Sequence, residues 1–157
     1  MSRRFDVVIA GGGMVGAALA LALNQGGKRV AVIEPKEPSQ PGPDDDIGLR
    51  VSALSLASQA ILDNLGVWQQ LAGWRISPYR HMLVWDAGGQ GKIEFDAGET
   101  SESWLGHIVE HDFIQAALYQ QSQRQENIAW FCPASLSRFS VDQQEVIITL
   151  DSGEVLL

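Results

Sequence analysis

The sequence predicts an α/β fold built on a parallel sheet with helices packed against it. Three observations predict it. A short β-rich run, apolar after its one acid, leads into a glycine-rich turn. An Ala- and Leu-rich stretch of helical length follows, and a second apolar β-rich run then ends on a glutamate. Strands buried on both faces read as unbroken apolar runs, and parallel neighbours need a crossover such as the helix between them.

Each element can be justified in turn. Residues 5–10 (FDVVIA) form the first strand and residues 11–13 the turn. Residues 15–23 form a buried helix, closed by Asn24 and the Gly26-Gly27 pair, and residues 28–34 (KRVAVIE) the second strand. Residues 35–48 hold four prolines and Asp44-Asp45-Asp46, the composition of a surface loop prone to local disorder. Ser52 or Ser55 then caps a helix that places Leu54, Ala57, Ile61 and Leu65 on one face, with Gly66 closing it. Residues 67–74 read as a further short helix.

Residues 81–86 and 92–96 form a hairpin around Gly88-Gly89, and residues 100–103 a loop. Residues 106–109 are extended. A helix starting near Asp112 buries Phe113, Ile114, Ala117 and Leu118. Residues 128–132 form a strand, and residues 139–141 and 145–150 a closing hairpin across Asp142-Gln143-Gln144. No internal repeat is present. The sequence stops at Leu157 without a turn or capping signal, which predicts a truncated domain.

Composition narrows the function. The chain has 157 residues, 45% hydrophobic and 19% charged, which suits one soluble globular domain with a real core. Eleven basic residues against nineteen acidic ones give a net charge of −8, which repels phosphate backbones and excludes nucleic acid as a partner. No Lys/Arg block offers a grip on an anionic membrane. Cys132, the single cysteine, excludes an internal disulfide and a Cys-rich zinc site, and a reduced cytoplasmic setting fits. The uncharged stretch of residues 7–23 follows Arg3 and Arg4 and imitates an export signal. Asp6 at its mouth, four glycines in its first half and its short length favour strand, turn and helix instead.

The chemistry concentrates in the turn. Gly11-Gly12-Gly13-Met14-Val15-Gly16 satisfies GxGxxG, with Gly11, Gly13 and Gly16 in the key positions. The first allows a tight turn, the second lets backbone approach a pyrophosphate, and the third lets the helix pack closely on the strand. The helix start then presents free N–H groups and partial positive charge to phosphates. Glu34, twenty-three residues after Gly11, can accept both ribose hydroxyls of an adenosine and would repel a 2′-phosphate. The fold class is therefore a Rossmann-like FAD/NAD(P)-binding domain, with FAD or NAD favoured over NADP. Arg50 either reaches back towards a cofactor's pyrophosphate or ribose, or pairs on the surface with Asp44–Asp46. Chemistry alone leaves that choice open.

Four separated strings extend the reading: residues 11–16, residues 50–55 (RVSALS), Leu65-Gly66-Val67-Trp68 and residues 106–110 (GHIVE). Together they resemble the ubiquinone-biosynthesis hydroxylases. These are single-component FAD-dependent aromatic monooxygenases related to para-hydroxybenzoate hydroxylase. The resemblance covers nearly the whole chain. It implies that Gly11, Gly13, Met14, Val15, Gly16 and Glu34 hold the ADP half of FAD and that Arg50 contacts the cofactor. It also implies that the backbone near Leu136 lies along the adenine. Position 111, where His111 replaces an expected Asn, would touch FAD at its helix start.

The resemblance further implies that residues 1–75 and 107–157 form an FAD-binding domain with a parallel sheet and a β-meander, incomplete at its C-terminal end. Residues 76–106 would be the start of an inserted substrate domain, with residues 81–96 as its first hairpin. The implied reaction hydroxylates the ring of a prenylated ubiquinone precursor, with NAD(P)H as transient reductant and O₂ as oxygen source. The cofactor carries that chemistry, so no catalytic side chain is assigned. The apolar substrate implies a cytoplasmic enzyme working at the membrane surface, with this truncated chain itself inactive.

Three rival readings remain on the sequence. One is a fragment of an NAD-dependent dehydrogenase, and another is a non-catalytic nucleotide- or partner-binding fragment. The third is zinc, because His107, Glu110 and His111 match the inverted HxxEH pattern. Zinc would need residues 107–111 to be helical, and the extended reading of residues 106–109 argues against it. His81 and Trp85 are expected as packing or surface groups, and Cys132 as a buried small hydrophobe.

Overall fold

The structure, a computed structural model, describes residues 3–42, 44–142 and 144–157. Along the chain run β1 (Val7–Ala10), α1 (Met14–Gln25) and β2 (Val30–Ile33), then β3 (Val51–Ser55), α2 (Leu56–Asn64) and α3 (Trp68–Trp74). Next come β4 (Ile76–Tyr79), β5 (His81–Trp85), β6 (Lys92–Asp96), β7 (Gly106–Glu110) and α4 (His111–Gln123). β8 (Ile128–Phe131), β9 (Leu136–Val141), β10 (Val146–Leu150) and β11 (Val155–Leu156) complete the order. Backbone contacts group the chain into two units, one of residues up to 40 with 115–157, the other of residues 41–114.

In the first unit a parallel sheet runs β1-β2-β8, with Val7 opposite Val30 and Val30 opposite Ile128. The sequence reason is plain. All four residues of β2 are buried, as expected of the central strand of a covered parallel sheet. α1 buries Ala17, Ala20 and Leu21, and its two alanines are small enough for the helix to lie close on the strands. An antiparallel meander of β9, β10 and β11 closes the unit over a core of Ala31, Ile33, Phe131, Ala134, Leu150 and Leu156. Each large member of that core contributes about 1.5–3 kcal/mol by leaving water.

The second unit holds a β3-β7-β4 antiparallel sheet, α2, α3 and a separate β5-β6 hairpin. Leu62, Leu65, Val67, Trp68, Leu71 and Val109 are buried there.

The α/β parallel-sheet expectation holds, as do the glycine turn, the β5-β6 hairpin, the extended 106–109 segment and the buried stripe Phe113, Ile114, Ala117 and Leu118. Three expectations fail. Residues 51–55 are a strand, not a helix start, because β7 offers them a full antiparallel ladder from Val51–Glu110 to Ser55–Gly106. Tertiary pairing outweighs a helical spacing that a strand's alternation partly imitates. Of the two expected caps Ser55 is the one used: the helix begins at Leu56, and the Ser55 hydroxyl accepts from the Ser58 amide. Of the expected stripe Leu65 is buried, but Ala57 and Ile61 are exposed and Leu62 is buried instead. Cys132 follows β8 and is half-buried rather than buried.

Two strands were not expected at all. β4 contains Pro78, a residue that argues against a strand, yet it pairs with β7. β11 follows a turn at residues 151–154 and pairs with β10. The Asp142-Gln143-Gln144 turn includes Gln143, and the 35–48 loop includes Pro43; both residues lie outside those described. The rest of that loop carries neither helix nor strand.

Candidate functional site

The turn between β1 and α1 is built for backbone exposure. Gly11 has φ +106°, a left-handed conformation that suits glycine alone, and its amide donates to Ile33 O at 2.8 Å. A Cβ on Gly16 would overlap the Gly11 carbonyl oxygen, so only glycine lets α1 start this close to the turn. The first helical bond runs from Ala17 N to Gly13 O at 2.9 Å. The amides of Met14, Val15 and Gly16 precede it and have no intrahelical acceptor. A Cβ built on Gly13 would meet nothing within 4 Å, and Val15 is 82% exposed, so this helix start is open.

Glu34, at the end of β2, reaches that turn. Its carboxylate accepts from the Gly12 amide at 2.6 Å and, through its other oxygen, from the Lys36 amide at 3.2 Å. Its backbone is fixed by Glu34 N to Phe131 O at 3.0 Å and Ala134 N to Glu34 O at 3.0 Å. An open helix N-terminus beside a carboxylate suits a phosphate group next to a vicinal diol. The residues present therefore fit an adenosine diphosphate moiety.

Trp130 is a part of this turn that sequence reasoning missed. A Cβ on Gly12 would collide with the Trp130 ring, so Gly12 is held between Trp130 and Glu34. The indole donates to the Ser122 hydroxyl at 2.9 Å, and Tyr119 packs edge-on at 4.7 Å. The middle glycine of a GxGxxG string carries no signal for such a neighbour. Gln115 adds a long contact to Gly12 O at 3.5 Å. Leu136 opens β9 in the same unit and is exposed.

In the second unit Arg50 stands just before β3, and the His111 amide donates to its carbonyl at 2.9 Å. Arg50 makes no ion pair with Asp44, Asp45 or Asp46 among the described residues. Asp45 instead receives the Gly42 amide at 2.7 Å. Gly48, Leu49, Arg50, Glu110 and Asp112 line an open cleft of about 250 Å³.

Glu110, the last residue of the GHIVE string and a member of the inverted zinc pattern, has a different role in the structure. Here its carboxylate accepts from Arg75 Nε at 2.6 Å, Arg75 Nη2 at 3.1 Å and the Gly48 amide at 2.6 Å. The Arg75 hydrogen bonds hold its carboxyl below the usual range, against the opposing effect of burial. His107 is buried on β7 between Trp68, at 5.1 Å, and Trp104, at 5.9 Å, and burial pushes its pKa down. Residues 106–110 form a strand, so the helix that the zinc motif requires is not there. Of the packing or surface roles expected for His81 and Trp85, the structure shows the second: both are exposed, and His81 contacts Glu94 at 2.8 Å.

Comparison with known proteins places this geometry. Residues 6–42, which span the glycine turn and Glu34, match a family described as FAD dependent oxidoreductase. The chain is 37% identical over 151 residues to 3-demethoxyubiquinol 3-hydroxylase of Escherichia coli, covering 96% of this chain and 38% of that protein. Over nearly its whole length the chain is thus similar to a ubiquinone-biosynthesis hydroxylase. It is also 39% identical over 124 residues to the mitochondrial ubiquinone biosynthesis monooxygenase COQ6 of Danio rerio, covering 76% of this chain and 25% of that one. The chain thus spans well under half the length of these curated relatives.

Solved structures agree on the fold. p-Nitrophenol 4-monooxygenase PnpA from Pseudomonas putida superposes with a TM-score of 0.74 at 20% identity, covering 99% of this chain and 39% of that one. The flavin-dependent monooxygenase PieE, solved with FAD and substrate, gives 0.73 at 16% identity, covering 98% and 28%. At such identities the likeness shows the Rossmann-like fold of flavin-dependent monooxygenases and nothing finer.

Proposed function

We propose that this chain is the FAD-binding segment of a flavin-dependent aromatic-ring monooxygenase acting on a prenylated ubiquinone precursor. The observation that carries the reading is the Glu34 carboxylate 2.6 Å from the Gly12 amide, beside an open helix start. Gly11, Gly13, Met14, Val15 and Gly16 would cradle the diphosphate, and Glu34 would take the ribose hydroxyls. Arg50, His111 and the backbone near Leu136 complete the proposed cofactor contacts. The bound flavin would supply the redox and oxygen chemistry, with NAD(P)H as reductant and O₂ as oxygen source. The protein's part is to bind, orient and exclude water.

The same reading makes residues 1–75 and 107–157 a flavin-binding domain and residues 76–106 the beginning of a substrate-facing insertion. The β5-β6 hairpin supports it. Met82 and Val84 pair with Phe95 and Ile93 on one face, and all but Met82 are exposed large hydrophobes. A lone two-stranded sheet is marginal in water, so such a face suits a larger sheet. Among the described residues no helix is long and apolar enough to cross a membrane. Work at the inner membrane surface from the cytoplasm would then depend on the substrate's prenyl tail.

The test is direct. Purified chain should carry, or take up on addition, a ligand with the two-band visible spectrum of bound flavin. Retention of NAD with no flavin uptake would overturn the reading in favour of a dehydrogenase.

A further inference from the structure

Arg50 sits on a segment with almost no apolar anchorage. Leu49 is fully exposed, the Arg50 side chain is exposed, and Asp44, Asp45, Asp46 and Ile47 all face solvent. A segment of that kind is placed by its polar bonds or not at all. Those bonds converge on one side chain. Gly48, two residues before Arg50, donates its amide to Glu110 at 2.6 Å, and Val51, one residue after, pairs with Glu110 across the β3-β7 ladder. Arg75 extends the connection, donating to the Glu110 carboxylate from Nε and Nη2 and to Asp45 O from Nη1 at 2.9 Å. The segment is therefore tied at residues 45, 48, 50 and 51 to Arg75, Glu110 and His111.

Burial marks Glu110 as the centre of this arrangement. Its side chain is 9% exposed while Arg75 is 30% exposed. A Cβ on Gly48 would lie 3.3 Å from Glu110 Oε2, tighter than an ordinary contact, so the approach favours glycine at that position. A buried carboxylate that accepts three hydrogen bonds holds its partners more firmly than a neutral group would.

We propose that Glu110 is a positioning residue, whose carboxylate staples the Gly48 amide to the Arg75 guanidinium and so fixes the backbone from which the Arg50 side chain projects. The proposal rests on the flavin reading above, in which Arg50 contacts the cofactor. In this role Glu110 acts through Arg50 rather than on the cofactor directly. A carboxylate serving general stability alone would have no reason to act through that arginine.

The experiment is a double-mutant cycle on the full 157-residue chain. FAD affinity is measured by fluorescence titration for the wild type, Glu110→Gln, Arg50→Ala and the double variant. Amide hydrogen exchange is followed over residues 44–51. In the Arg50 background Glu110→Gln should weaken FAD binding about tenfold, and in the Arg50→Ala background less than about twofold. Exchange at residues 48–50 should rise while that of β2 stays unchanged. If Glu110→Gln fails to fold, Arg75→Lys keeps the charge, loses the two-pronged grip and should show the same dependence on Arg50. Equal losses in both backgrounds, or unchanged exchange at residues 48–50, would overturn the proposal alone. A wild-type chain that binds no FAD would overturn the flavin reading and the proposal with it.

Discussion

The Gly12 amide donates to the Glu34 carboxylate at 2.6 Å, joining the turn after the first strand to the end of the second. With Trp130 packed behind Gly12, the contact fixes both the turn and the acid. The carboxylate is thus held beside the helix start by the protein's own bonds. Such preorganisation removes an ordering cost from binding.

Glu34→Gln is expected to keep the fold, because its amide oxygen can still accept from Gly12. It loses the charge that strengthens hydrogen bonds to ribose hydroxyls, about 1 kcal/mol or somewhat more. FAD affinity should fall roughly tenfold in a fluorescence titration. An unchanged affinity would show that Glu34 does not face the ribose.

Gly16→Val tests the close start of α1. Any Cβ there overlaps the Gly11 carbonyl oxygen, so the helix must shift away from the turn. Thermal unfolding should drop, with a loss of about 2 kcal/mol or more from overpacking. FAD binding should be abolished even where the variant remains folded.

His107 makes stability sensitive to mild acid. Burial lowers its folded pKa below the ordinary 6.5, so the unfolded chain takes up a proton first as pH falls. Stability is full above 6.5 and is lost as pH falls from there through the lowered folded value. His107→Phe, an apolar ring between Trp68 and Trp104, should flatten this dependence in urea unfolding at pH 7.5 and 5.5. Equal slopes for both proteins would refute the assignment.

Glu110 works in a lower window. Its folded carboxyl lies below the ordinary 4.5, so its stabilisation is complete above 4.5 and disappears as pH falls through the folded value. Arg75→Met should destabilise the chain at pH 7 by about 1.5–3 kcal/mol, the range for hydrogen bonds to charged groups. The gap from wild type, read by chemical denaturation, should close in acid below that window.

Much of the glycine turn was legible in the sequence, and for a local reason. The βαβ unit is contiguous, its strands are continuously apolar and its turn is spelled out by three spaced glycines. Glu34 falls at the second strand's end by count alone. β3, Trp130 and Glu110 were not legible in the same way. Residues 51–55 became a strand only because β7, more than fifty positions later, offers a free edge. Trp130 looks like any half-buried strand residue until Gly12 leaves room for its ring.

By itself, then, the sequence determined the parallel βαβ unit and the open helix start, because short-range periodicity and glycine sterics act within some thirty residues. The tertiary structure alone decided that Glu110 joins Gly48 to Arg75, that His107 is enclosed by two tryptophans, and that β11 pairs with β10. Those outcomes depend on which distant groups desolvate one another, and no local spacing encodes that.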